Sequence, residues 1–123
     1  MVSSLELVCK WVRGVLGVRV GTYPPASATT ATEGARPFAV VTRTGGEVDY
    51  PHESPAFAVQ VWAADEATAE TDAYLVAIAC KTMPPTDAHV NAVLVPTVLS
   101  YGRMDGGWFV WQTNVNLEVN LLD

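Results

Sequence analysis

The stretch 37–63, PFAVVTRTGGEVDYPHESPAFAVQVWA, constrains this chain more than any other. Two runs rich in valine and aromatics flank the Gly45–Gly46 pair and a polar segment, which predicts a β-hairpin with an elaborated turn. In the first run Phe38, Val40 and Thr42 alternate with Ala39, Val41 and Arg43. It is apolar on both faces at its start and polar at its end, as suits a strand inside a sheet covered by helices on one side and by something else on the other. In the second run Phe57, Val59, Val61 and Ala63 share one face, and Ala58, Gln60 and Trp62 the other. Gly45 and Gly46 supply the positive φ that a tight turn or bulge demands. Asp49, Tyr50, Pro51, His52, Glu53 and Pro55 complete the predicted connection.

The remaining elements fall around this hairpin. Ser3-Ser4-Leu5-Glu6 has the spacing of a capping box, so a helix is expected from there. Leu5, Val8, Val12, Val15 and Leu16 recur at helical spacing, Leu7 and Trp11 widen the stripe, and Gly17 ends it. A short strand over 18–22 stops at Tyr23-Pro24-Pro25, because proline lacks the ladder donor. The segment 26–35, ASATTATEGA, has nothing to bury and predicts a flexible loop within 24–36, either an arm that orders on contact or a tolerated insertion. After the hairpin, Asp65 caps a helix expected to run to about Lys81, with a mostly small apolar side of Ala69, Ala73, Val76, Ala77 and Cys80, and Tyr74 and Ile78 beside them. Met83-Pro84-Pro85 is expected to terminate it.

The chain then predicts a strand over 91–95 broken by Pro96, its resumption over 98–103, and a hairpin at Asp105-Gly106. The return strand 108–121 alternates cleanly. Phe109, Trp111, Thr113, Val115, Leu117, Val119 and Leu121 face a core, while Gln112, Asn114, Asn116, Glu118 and Asn120 make an amide-rich, weakly acidic opposite face. The expected architecture is α+β, with two helices on a mixed, mainly antiparallel sheet in one domain.

Composition narrows the function classes. The 123 residues are enough for one core. Half are apolar and only 16% charged, an excess that fits contact with another chain. Seven basic against thirteen acidic residues give a net charge of −6, which repels phosphate backbones and argues against sequence-independent nucleic-acid binding, while leaving room for a surface that DNA only slides past. Glu6, Lys10 and Arg13 interrupt the apolar N-terminal run, so neither a signal peptide nor an anchor is expected, and no segment reaches membrane-spanning length. Cys9 and Cys80 lack CxxC spacing and are expected to be buried thiols.

No catalytic constellation emerges. Asp49, His52 and Glu53 have no further spaced ligand, so no metal is expected. Asp65 and Glu66 are accounted for by a helix N-terminus. The serines lack a nucleophile elbow, and Gly45-Gly46 lacks the spacing and lysine of a phosphate loop. Neither enzyme activity nor a cofactor is expected.

The order PFAVVTRTGG, a polar loop, FAVQVWA, then a helix beginning DEATAETDAYLVA, with the leading helix and the closing strand WFVWQTNVNLEVNL, resembles the tail-terminator, or tail-completion, proteins of long non-contractile-tailed bacteriophages. The match is loosest over 26–35 and 90–100. The resemblance implies a homohexameric ring at the head–tail junction of the virion, assembled in the host cytoplasm. That ring caps the tail tube, stops its polymerisation and presents a joining surface to the head connector. Implied partners are further copies of the chain, the major tail-tube protein and the connector, with DNA only in passage and no membrane. It further implies that Arg43, Thr44, Gly45 and Gly46 form a projecting hairpin tip, and that Gln112, Asn114 and Asn116 make subunit contacts or line the lumen. Replacing both glycines by valine is then expected to block assembly while leaving the fold at most mildly destabilised. Two alternatives stand beside this reading: a head-completion or connector protein, and a small-molecule-binding domain with a pocket between helix and sheet.

Overall fold

The computed structural model describes residues 1–25, 31 and 35–122. The predicted loop at 24–36 falls largely on residues 26–30 and 32–34, which lie outside the described residues. The elements in order are α1 (Ser4–Leu16), β1 (Arg19–Gly21), β2 (Phe38–Asp49), β3 (His52–Ala63), α2 (Glu66–Ala79), a 3-10 turn (Cys80–Thr82), the one-turn helix α3 (Met83–Thr86), β4 (Val90–Val93), β5 (Thr97–Arg103), a 3-10 turn (Asp105–Gly107) and β6 (Phe109–Asn120). The fold is α+β: two main helices on one face of a six-stranded mixed sheet. Among the described residues no helix is long and apolar enough to cross a membrane.

Local chemistry explains the helix ends. Ser3 Oγ accepts a hydrogen bond from the Glu6 N–H (3.2 Å), satisfying one of the free donors of the first turn. Gly17 closes α1 in the left-handed conformation (φ 64°), its N–H donating to the Arg13 carbonyl. Asp65 caps α2 through the Thr68 N–H and hydroxyl, both at 3.0 Å. Met83-Pro84-Pro85 does not end the helical course as expected. The chain passes through a 3-10 turn into α3, because a proline in a first helical turn removes an N–H that would have no partner there anyway.

The sheet runs β1-β2-β3-β6, and both β4 and β5 pair with β6 along its far edge. Among the described residues only β1 is parallel, matching Phe38 to Val40 of β2, and every other pairing is antiparallel. Pro96 interrupts that far edge as predicted, and β4 and β5 are two halves of one line broken at 94–96.

The main core lies between helices and sheet. Val8, Cys9 and Val12 of α1 and Val76 of α2 meet Val41, Phe57, Val59, Val115, Leu117 and Val119. Both cysteines are free and buried. The small residues Ala69 and Ala73 let α2 lie so close on β6 that the buried Thr113 hydroxyl donates to the Ala73 carbonyl at 2.6 Å. Tyr74 and Ile78 turn outward, and Ile78 is 72% exposed rather than part of the buried side.

The sheet's other face carries a second, smaller cluster at one end. Phe38 stacks on Trp62 (5.4 Å) and meets the edge of Trp108 (5.0 Å), and Val40 joins them. Ala31 and Ala35 pack on this cluster, and the Ala31 N–H donates to the Gly106 carbonyl at 2.7 Å.

Candidate functional site

Gly45 and Gly46 do not form the hairpin tip. They lie within β2, and the turn is at Tyr50-Pro51, tied down by the Leu121 N–H donating to the Pro51 carbonyl at 2.7 Å. The register places Arg43 opposite Phe57 but Gly45 opposite Ala56, so Thr44 is the extra residue of a β-bulge. Gly46 has φ 115°, and a Cβ there would strike the Ser54 carbonyl and sit 2.7 Å from Pro55 Cα. At Gly45 a Cβ would meet nothing within 4 Å. A valine pair is therefore no clean probe of an intermolecular contact, because the methyls at 46 collide with the chain's own β3. Nor does the hairpin project alone, since β6 runs beside β3 as far as the His52–Asn120 pair.

Arg43 spans the bulge. Its Nε donates to the Gly45 carbonyl (3.3 Å), and its Nη1 reaches Glu53 Oε2 at 2.8 Å. Glu53, expected in a loop, is a strand residue only 5% exposed, and its Oε1 has no partner among the described residues. The Asp49, His52 and Glu53 trio thus has a structural use in Glu53, and no group of three candidate metal ligands converges among the described residues.

The alternation in β6 correctly separates its two faces. Gln112, Asn114 and Asn116 stand opposite the helices, and register brings β3 and β5 to them. Trp62 Nε1 donates to Gln60 Oε1 (3.2 Å), Gln60 Nε2 to Gln112 Oε1 (3.2 Å), Gln112 Nε2 to Asn114 Oδ1 (2.7 Å), and Asn114 Nδ2 to Thr97 Oγ1 (3.1 Å). This ladder crosses the sheet with every amide pointing the same way. Gln112 is buried by its neighbours, while Gln60, Asn114 and Asn116 stay partly open. Asn116 lies opposite Ala56 in the next row. Further along, Glu47 pairs with Ser54, whose hydroxyl donates to Glu118 Oε2 at 2.7 Å, and Asp49 pairs with His52.

The face therefore grades along the strands from aromatic through amide to acidic. Sequence reasoning located its β6 members by alternation. It missed the contribution of Gln60, Trp62 and Thr97, which only the pairing of β3 and β5 with β6 reveals. The arrangement holds no nucleophile or paired general acid and base. Its remaining donors and acceptors are suited to hydrogen bonding, and its acidic end to repelling anions.

Burial raises the thiol pKa of both Cys9 and Cys80, which disfavours the nucleophilic thiolate. Desolvation likewise raises Asp72 on α2 above the ordinary carboxylate value. The chain matches no protein-family model and no curated protein sequence.

Proposed function

We propose that this chain is a structural virion-assembly protein, a ring-forming tail terminator that caps a phage tail tube, ends its polymerisation and offers the head connector a joining surface. The observation that carries the reading is the pair of open sheet edges. Among the described residues β1 pairs with β2 only over Phe38–Val40, which leaves the rest of β2 without an outer partner there, and the β4–β5 line is the opposite border. Exposed apolar side chains accompany both: Val48 and Tyr50 on one, Leu94, Val95, Tyr101 and Met104 on the other. Unpaired edges with apolar margins invite further strands or chains, and different edges meeting head to tail generate a ring when the rotation closes.

The amide and acidic face supports a lumen role. Glu47, Asp49 and Glu118 would repel phosphates and the amides would hold no fixed charge against them, so DNA would pass without sticking. The partners are then other copies of the chain in a hexamer, the tail-tube protein and the connector, and the place of action is the head–tail junction. A head-completion protein differs from this only in its docking partner. A small-molecule-binding domain would need convergent buried polar groups around a pocket. The apolar groove beside α1 offers Lys10 and Asp87, and Asp87 is engaged by the His89 backbone and ring.

Native mass spectrometry of the full chain, alone and with polymerising tail-tube protein, tests the reading. A hexamer at tube ends is expected. Bare tube ends with the chain still monomeric contradict it, and a ring with a basic lumen contradicts the proposed passage of DNA.

A further inference from the structure

The outer border of β2 carries a pattern of charge that its own sheet does not answer. β1 covers Phe38–Val40, and residues 44–49 further along are all exposed. Among the described residues, the backbone N–H and C=O groups that point away from β3 over this stretch join no ladder. What completes such a row is an extended strand. Side chains along the border alternate. Glu47 lies opposite Ser54, whose hydroxyl bonds Glu118, and Asp49 lies opposite His52, so both acids stand on the amide face. Neither makes an ion pair among the described residues. Gly46 and Val48 take the intervening positions on the helix side, where Gly46 presents no side chain and Val48 is 61% exposed.

We infer that this border binds an extended segment of a different protein in which two basic residues alternate with apolar ones, added to the sheet as an antiparallel strand beside residues 45–49. Its basic side chains lie next to Glu47 and Asp49, and its apolar ones next to Gly46 and Val48. Opposite charges directly across a strand pair stabilise it and like charges destabilise it, so the border selects a basic strand and rejects an acidic one. The backbone ladder supplies the binding and the two acids supply the choice of partner. The Thr44 bulge raises the local twist and ends the added strand at Gly45. A second copy of this chain does not match the pattern. Its seven Lys and Arg are nowhere two positions apart, so none of its strands can set cations beside both acids at once. The inference stands apart from the ring reading, because one chain alone has the whole border.

The test titrates ¹⁵N-labelled full-length protein with the peptide acetyl-TKVKVT-amide, to about 5 mM, and follows the backbone amides by NMR. Shift changes and slowed hydrogen exchange confined to residues 45–49 and the part of β3 paired with them are expected. Acetyl-TEVEVT-amide should bind about tenfold more weakly, and the Glu47→Lys/Asp49→Lys variant should reverse that preference. Both positions are exposed, so the fold should persist. If that variant does not fold, Glu47→Gln/Asp49→Asn takes its place and should bind the two peptides alike. Equal binding of both peptides to the parent protein, shifts centred on β4 and β5, or no shifts at all would overturn the inference. Loss of the 45–49 signals with rising protein concentration and no peptide would overturn it too, because a second copy then fills the border.

Discussion

Replacing Gly46 by alanine should loosen the corner of the sheet, and the size of the effect follows from the geometry. The new methyl carbon would sit 2.7 Å from Pro55 Cα and 2.9 Å from the Ser54 carbonyl carbon, against a comfortable carbon–carbon separation of about 3.5 Å. Those are backbone atoms of the paired strand, so no side chain can rotate aside. β2 and β3 must part by about 0.8 Å, which stretches one or two ladder bonds worth about 0.5–1.5 kcal/mol each. The residue must also hold φ 115°, at a cost of about 1–3 kcal/mol for a residue with a Cβ. Together these predict a loss of about 2–5 kcal/mol from a total stability of about 5–15 kcal/mol. For a chain of this length that lowers Tm by about 8–20 °C. Thermal unfolding followed by circular dichroism measures it, and hydrogen exchange should show Glu47 and Val48 amides opening first. Gly14→Ala is the control, since a Cβ there meets nothing within 4 Å in the last turn of α1, and it should stabilise by about 0.5–1 kcal/mol. If Gly46→Ala melts within a degree of the parent protein, the steric account of the bulge is wrong.

Other perturbations follow from the same structure. Arg43→Ala should cost about 2–3 kcal/mol, less than a fully buried pair because Arg43 is partly exposed, and in urea unfolding the Arg43→Ala/Glu53→Ala double variant should lose less than the sum of the singles. For Asp72, burial raises the folded-state pKa, so the folded protein holds that proton more firmly than the unfolded chain, and the ionised form is penalised at neutral pH. Asp72→Asn should therefore raise Tm at pH 7, with the difference vanishing as the pH falls below the ordinary carboxylate value of 3.8, and an unchanged or lowered Tm at pH 7 contradicts this. Cys9 and Cys80 should resist a thiol reagent at pH 8 until the protein is unfolded, whereupon both should titrate. Rapid labelling of either in the native state would show that its burial is wrong.

What could be read from the sequence was local. The Ser3 and Asp65 caps and the Gly17 stop depend on residues within one turn of the helix end, and all three are found as expected. The alternation of β6 shows which residues share a face, because its period needs no partner strand. The hairpin failed at its turn for a physical reason. Residues 44–49 are polar apart from Val48 and contain paired glycines, which is how a loop looks, yet a single-residue bulge lets β2 continue to Asp49. Glu53 looked solvated because nothing nearby in sequence indicates that Arg43 crosses the bulge to meet it. The amide ladder was half legible, its Gln112 and Asn114 apparent and its Gln60 and Thr97 supplied by non-local register. Nothing in the small residues around 31–35 announced that Ala31 and Ala35 pack on the Phe38 and Trp108 cluster.

The most direct test of the proposed function is the length of tails made when this gene alone is interrupted by a stop codon, measured by electron microscopy of infected-cell lysates. The account predicts tubes that overrun the normal length and fail to join heads, with normal tails restored when the full chain is supplied in trans. Tails of normal length, joined to heads in its absence, would contradict it.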